Sequence, residues 1–235
     1  MKKVAFITGS SRGIGRAIVE LLLSNNYTVF GYSRTNKIQH PNFIFKKINL
    51  SNLKEVQKLT FPKFKNADLV FINNAATIGE ITPLIFKQES EIICNYNLNI
   101  ITPTILISKF INCFLDNSKT LINISSGAAN GSIASWGPYC ASKSALDRLT
   151  TVLAEEKYNN LAVFSIHPGV VDTQMQEEIR RTDANLFPLL SKFTNYYNNN
   201  ELENTNDVAK KIFYIIQNPT QFTKNILSIR DIDLN

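Results

Sequence analysis

Short apolar runs punctuate the chain at 3–7, 28–33, 43–48, 68–72, 119–125, 161–167 and 225–230, and stretches of helical periodicity separate them. Runs of this length, too short for buried helices, predict strands. After the first run, Ile14, Ala17, Ile18, Leu21 and Leu22 fall on one face of a helix. Strand alternating with helix predicts one α/β domain over residues 1–235, a doubly wound parallel sheet of about seven strands with helices on both faces. No interdomain linker or internal repeat breaks the alternation. Asn198-Asn-Asn200 reads as a loop between helices, at the end of a segment of about 172–200 that follows the sixth strand.

The first strand runs into Thr8-Gly-Ser-Ser-Arg-Gly-Ile-Gly15. Strand, glycine loop and helix together form the setting of a dinucleotide-binding loop. Gly9 permits the sharp turn, Gly13 lets backbone approach a pyrophosphate, and Gly15 lets the helix pack closely. Ser11, Arg12 and Ile14 lie between them, where N–H groups and the helix dipole favour phosphate. The spacing is one residue wider than Gly-x-Gly-x-x-Gly.

Tyr139 and Lys143 stand four apart in Trp136-Gly-Pro-Tyr-Cys-Ala-Ser-Lys143, so a helix stacks them on one face. A phenol with a pKa of about 10 is a reluctant acid or base, and an ammonium one turn away favours the phenolate. Alone, this pair usually marks a solvated helix face.

More positions agree. Asn73-Asn-Ala-Ala76 follows the strand Asp68-Leu-Val-Phe-Ile72, and Leu121-Ile-Asn-Ile-Ser-Ser126 ends in a serine thirteen residues before Tyr139. Pro168, Gly169 and Thr173 follow the strand at 161–167, and Asn99 lies in Asn97-Leu-Asn-Ile100. In order and spacing these residues resemble the short-chain dehydrogenase/reductase family over nearly the whole chain. The resemblance implies a Rossmann fold and a catalytic set of Asn99, Ser126, Tyr139 and Lys143. It implies cofactor contacts from Gly9, Ser11, Arg12, Gly13, Ile14, Gly15, Arg34, Asn49, Asn74, Ala75, Tyr139, Lys143, Pro168, Gly169, Val171 and Thr173. Two positions depart from the family pattern: Ala76 replaces a glycine, and Asn49 replaces an aspartate near the adenine.

The second strand ends in Ser33-Arg34, where the family's NAD enzymes carry an aspartate at the position of Ser33. Arg34 and Arg12 suit a ribose 2′-phosphate, so NADP(H) is the expected cofactor. Within the family, the segments around Trp136 and after Pro168 look most like sepiapterin reductases and bacterial benzil reductases. A small carbonyl compound, a vicinal diketone above all, is then the expected substrate, bound by Ser126, Trp136, Tyr139 and Met175. Aligned with sepiapterin reductases, Ser228 falls where those enzymes anchor the pterin with an aspartate. The alternatives are a 3-oxoacyl-thioester reductase of fatty acid synthesis and a non-catalytic NADPH-binding regulator. Relatives imply a homodimer, possibly a tetramer.

Composition changes little. Apolar residues make up 44% of the chain, enough for a core between sheet and helices. The formal net charge of +6 is spread singly, without the aromatic-interleaved basic stripe of a nucleic-acid binder. No apolar stretch approaches the ~20 residues of a membrane span. Cys94, Cys113 and Cys140 suggest reduced thiols in the cytoplasm, Cys140 as packing. His40 and His167 lack metal-type spacing, so no metal is expected, and His167 before Pro168 reads as structural.

Overall fold

The computed structural model describes residues 1–234 and joins the apolar runs into one seven-stranded parallel sheet. Its strands are β1 (Lys2–Thr8), β2 (Thr28–Ser33), β3 (Phe43–Lys47), β4 (Ala67–Asn73), β5 (Ser118–Ile124), β6 (Leu161–His167) and β7 (Ile226–Ser228). They lie in the order β3-β2-β1-β4-β5-β6-β7, with Ala5 of β1 opposite Val29 on one side and Val70 on the other. β7 is shorter than the apolar run predicts, because Ser228 accepts from the Arg230 N–H and bends Ile229–Asp231 into a 3₁₀ turn.

Successive strand side chains point to opposite faces, so each strand feeds two cores. Ala5, Ile7, Val29, Ile122 and Ile166 pack under α1 (Gly13–Ser24) and α8 (Thr205–Gln217). Val4, Phe6, Leu69, Phe71 and Val163 pack against α2 (Leu53–Lys58), α4 (Thr102–Cys113) and α5 (Gly137–Glu155). The fold is therefore a single α/β domain with helices on both faces of the sheet. Phe6, fully buried, centres the second core, its ring 5.1 Å from Phe30, 4.9 Å from Phe61 and 5.8 Å from Phe114.

Strand order reverses at β1: the chain first moves outward to β2 and β3, then returns to place β4 on the other side of β1. The loops leaving β1 and β4 therefore part at the carboxyl edge of the sheet, where ligands bind in such folds. A third apolar cluster roofs that edge. It joins Ile78, Ile81, Trp136 and Tyr139 to Ile179, Phe187 and Phe193. The segment 172–200 supplies much of this roof and holds two helices, α6 (Gln174–Arg180) and α7 (Leu190–Asn198). The helix before α4 is α3 (Glu89–Tyr96).

Among the described residues, no helix is long and apolar enough to cross a membrane, and no cluster of His, Cys, Asp or Glu is placed to hold a metal ion. The three cysteines are free thiols.

Emptying the Phe6 site removes a ring that several others pack around. Phe6→Ala should lower the unfolding free energy by about 3–5 kcal/mol. Chemical denaturation followed by circular dichroism measures this; a loss below about 1 kcal/mol would contradict the packing described.

Candidate active site

The glycine loop is built by close approach. Gly9 holds φ +69, and a Cβ on Gly15 would stand 2.2 Å from the Gly9 carbonyl oxygen. Only glycine allows that contact between α1 and the end of β1. Thr8 ties the loop to the neighbouring strand: its Oγ1 accepts from the Asn74 N–H at 3.0 Å and the Ala75 N–H at 3.1 Å. The Asn74 amide answers by donating to the carbonyls of Thr8 and Gly9. Arg12 stands at the N-cap of α1 in extended conformation, and no side chain caps that helix. Its first-turn N–H groups thus lack a side-chain acceptor, which is how a helix start suits a phosphate. Arg12 itself donates to the Gln174 side chain at the start of α6.

At the other end, Tyr139 and Lys143 share the buried face of α5, with the Lys143 ammonium 5.7 Å from the centre of the phenol ring. The ammonium donates to the Ile124 carbonyl at 2.7 Å. Ser126, just past β5, lines the same crevice as Tyr139, and its Oγ accepts from the Ala128 N–H at 3.1 Å. The expected pair therefore lies on one side of its helix and at the carboxyl edge of the sheet.

The charge states differ from the expectation that lysine lowers the phenol. Burial dominates and pushes Tyr139 up to about 12, although the Ser126 hydroxyl pulls the other way. Burial also holds Lys143 down to about 8, against the field of Asp147. Near neutrality the phenol is a full proton donor and the amine is still largely charged.

Asn99 is buried in a π turn, Asn97–Ile101, that joins α3 to α4. Pro103 has no N–H for the Asn99 carbonyl, and the turn widens so that the Thr102 N–H reaches Asn97 instead. The Asn99 amide bonds both ways to Thr77, at 2.9 and 2.8 Å, and donates to Ser142 beside Lys143 at 3.2 Å.

A crevice of about 1010 Å³ connects the two ends. Gly9, Ser11, Arg12, Gly13, Ile14, Arg34, Asn49, Asn74, Ala75, Pro168, Gly169, Val171 and Thr173 line it, as do Ser126, Trp136, Tyr139, Lys143 and Met175. Gly15 and Asn99 do not: the first packs beneath the loop, and the second braces the wall from behind. The Asn49 Oδ1 is taken by the Ser51 N–H and hydroxyl, which leaves its NH₂ for a ligand. Glu178 is the only carboxylate among the described lining residues, against Arg12, Arg34, Lys143, Lys192 and Arg230. Ser33 closes the end of β2 with neutral bonds to Ser10 and Thr35.

One buried cluster was not anticipated. Asp147, one turn beyond Lys143, accepts from Ser165 at 2.5 Å and bonds His167 Nε2 at 2.7 Å. The structural part expected of His167 is this pairing. The readable signal was an aspartate on the apolar stripe of α5, facing a Ser-x-His strand end.

Residues 3–184 match the family profile of the short chain dehydrogenases. The chain belongs to that family. Benzil reductase ((S)-benzoin forming) from Bacillus cereus is 30% identical over 92% of this chain and 94% of its own. Mouse sepiapterin reductase is 31% identical over 92% of both. A 4-hydroxyisoleucine dehydrogenase solved with NADH superposes with a TM-score of 0.79 at 25% identity, covering 96% of this chain and 95% of its own. As a short-chain dehydrogenase the protein is an oxidoreductase of a family that uses nicotinamide cofactors.

Replacing Thr8 by its isostere valine would strip the acceptor from two backbone N–H groups. Thr8→Val should destabilise the fold by about 1–3 kcal/mol in a denaturant titration. An unchanged midpoint would show that the clasp between the two loops is not made.

Proposed function

We propose that this protein is an NADPH-dependent carbonyl reductase that converts one carbonyl of a vicinal diketone to a hydroxyketone. The observation carrying the reading is the meeting of Tyr139, Ser126 and Lys143 in one crevice, between a glycine loop and an aromatic wall. Cofactor choice rests on charge: Arg12 and Arg34 border the loop end, and Ser33 stands where an NAD enzyme would place a carboxylate. Trp136 lies in that wall, 5.4 Å from Phe187 and 5.2 Å from Phe193, a surface suited to an aryl group. Ser228 also lines the crevice, and a serine supplies no anion for a pterin amine, which favours a diketone.

The residues present suit a dinucleotide. Gly9, Ser11, Arg12, Gly13 and Ile14 would hold its pyrophosphate, Arg34 its 2′-phosphate, Asn49 its adenine, and Asn74 and Ala75 the groups that follow. Lys143 would hold the nicotinamide ribose; Pro168, Gly169, Val171 and Thr173 would hold the carboxamide. When bound, such a cofactor supplies the hydride that reduces the carbonyl carbon. Tyr139 gives its proton to the carbonyl oxygen as negative charge grows there, and Ser126 orients that oxygen by a hydrogen bond. The Lys143 ammonium, held by the Ile124 carbonyl, stabilises the phenolate that remains. Asn99 keeps the loop at Thr77 and the turn at Ser142 in place around the amine.

Turnover with NADPH should be faster on benzil and 1-phenyl-1,2-propanedione than on sepiapterin or an acetoacetyl thioester. A preference for the thioester would move the protein to fatty acid synthesis. Tyr139→Phe should lower kcat by about 10²–10⁴ and spare NADPH binding measured by fluorescence; a variant keeping most of its kcat refutes the assignment. Arg34→Ala should raise the KM for NADPH about tenfold and leave that for NADH nearly unchanged. Equal use of both cofactors by the parent protein would count against the arginine reading.

A further inference from the structure

The buried stripe of α5 carries a carboxylate where its neighbours are Leu146, Thr150 and Leu153. Asp147 is 5% exposed, and an ionised side chain there is costly unless it is fully bonded and matched in charge. It is bonded: Ser165 donates to one oxygen and His167 to the other. Ser165 and His167 stand two apart on β6, so both point to the α5 side of the sheet. An ionised carboxylate can only accept, so the His167 Nε2 carries the hydrogen. His167 also lines the crevice, so this network extends from the interior to the ligand site.

Lys143 lies one turn back on the same buried face of α5. It is 3% exposed and donates to a single neutral carbonyl. The titratable groups around it are Tyr139 and Asp147 on α5 and His167 on β6; Cys94 of α3 and Arg230 after β7 line the same crevice. Asn99 of the π turn donates to Ser142 beside the lysine, and Ser125, just past β5, donates to the Lys143 carbonyl; both side chains are neutral. Asp147 is the carboxylate whose field supports the ammonium, and its hydrogen bonds hold it ionised despite burial.

We propose that Asp147 and His167 form a buried pair, one helical turn from Lys143, that keeps its amine in the ammonium form. The inference rests on the reductase reading for its consequence in turnover, but the charge of Lys143 can be read without any turnover. His167 holds the carboxylate in place and ties it to the crevice wall; the carboxylate in turn maintains the charge of the amine. Neither residue touches the reacting atoms, so both act through Lys143.

The experiment follows Lys143 by NMR in protein labelled with carbon-13 at lysine Cε, its resonance assigned with Lys143→Arg. In Asp147→Asn the titration midpoint of Lys143 should fall by about one pH unit from that of the parent protein. The alkaline limb of the pH–kcat profile should move down by the same amount, and kcat at the plateau should change less than kcat above pH 8. The double variant Asp147→Leu/His167→Leu removes the carboxylate and imidazole together, leaving only the Ser165 hydroxyl to find a new acceptor, and gives the same reading should the amide fail to fold. A Lys143 midpoint unmoved in whichever variant folds overturns the pair. A parent protein that turns over no carbonyl compound with NADPH sinks the reductase reading instead, and the NMR midpoint still decides the pair.

Discussion

A hydrogen bond from the Lys143 ammonium to the Ile124 carbonyl ties α5 to the carboxyl end of β5 at the centre of the molecule, beside a second from Asn123 to Thr150. A buried cation needs a strong acceptor, and this bond, with those of Thr150 and Asp147 to β5 and β6, fixes the rotation of α5 about its own axis. Once that rotation is set, Tyr139 lies one turn earlier on the same face, and Ser126, two residues past Ile124, is brought to the phenol. Both reactive hydroxyls are therefore placed by the docking of one helix on the sheet. The central strands that support it are buried on both faces and have little freedom to shift.

The two ends of the crevice are built by different physics. The loop end is polar backbone held in register by Thr8 and Asn74, with space that side chains larger than hydrogen would fill. The opposite end is aromatic surface, where Phe187 stacks on Trp136 at an interplanar angle of 13°. Trp136 is also the residue at which α5 begins, and the neighbouring Ser135 hydroxyl donates to the Leu186 carbonyl. The roof over the site is thereby fastened to the start of the helix that carries the phenol. Polar grip at one end and apolar contact at the other suit a charged cofactor meeting a neutral, ring-bearing substrate.

Much of this was legible in the amino-acid order, for identifiable reasons. A spacing of four commits Tyr139 and Lys143 to one helix face whatever surrounds them. The glycine loop was readable because its steric demand is local: the space beside Gly15 is limited by Gly9, six residues away. The parallel sheet and the two-sided core followed from alternating runs of apolar residues. What escaped was non-local. The direction of the phenol's shift depends on burial, which no short motif encodes. Asp147 meets Ser165 and His167 across 18 and 20 residues of intervening chain, and only the docking of α5 on β6 brings them together. The short β7 escaped because one serine side chain turns an otherwise uniform apolar run into a bend.

The widened turn before Pro103 has a consequence for how this helical arm tolerates change. One additional residue accommodated in a turn rotates everything after it by about 100° relative to an unbroken helix. Before the turn, Asn95 faces the loop at Thr77 and Ile78; after it, Leu106, Phe110 and Ile111 face the sheet. The missing proton on an imino nitrogen thus sets the phase between two halves of one arm, with Asn99 at the joint. Residue count along that arm is held as firmly as the identities of Asn99 and Pro103, since deleting a single position would turn either the amide or the phenylalanine away from its partner.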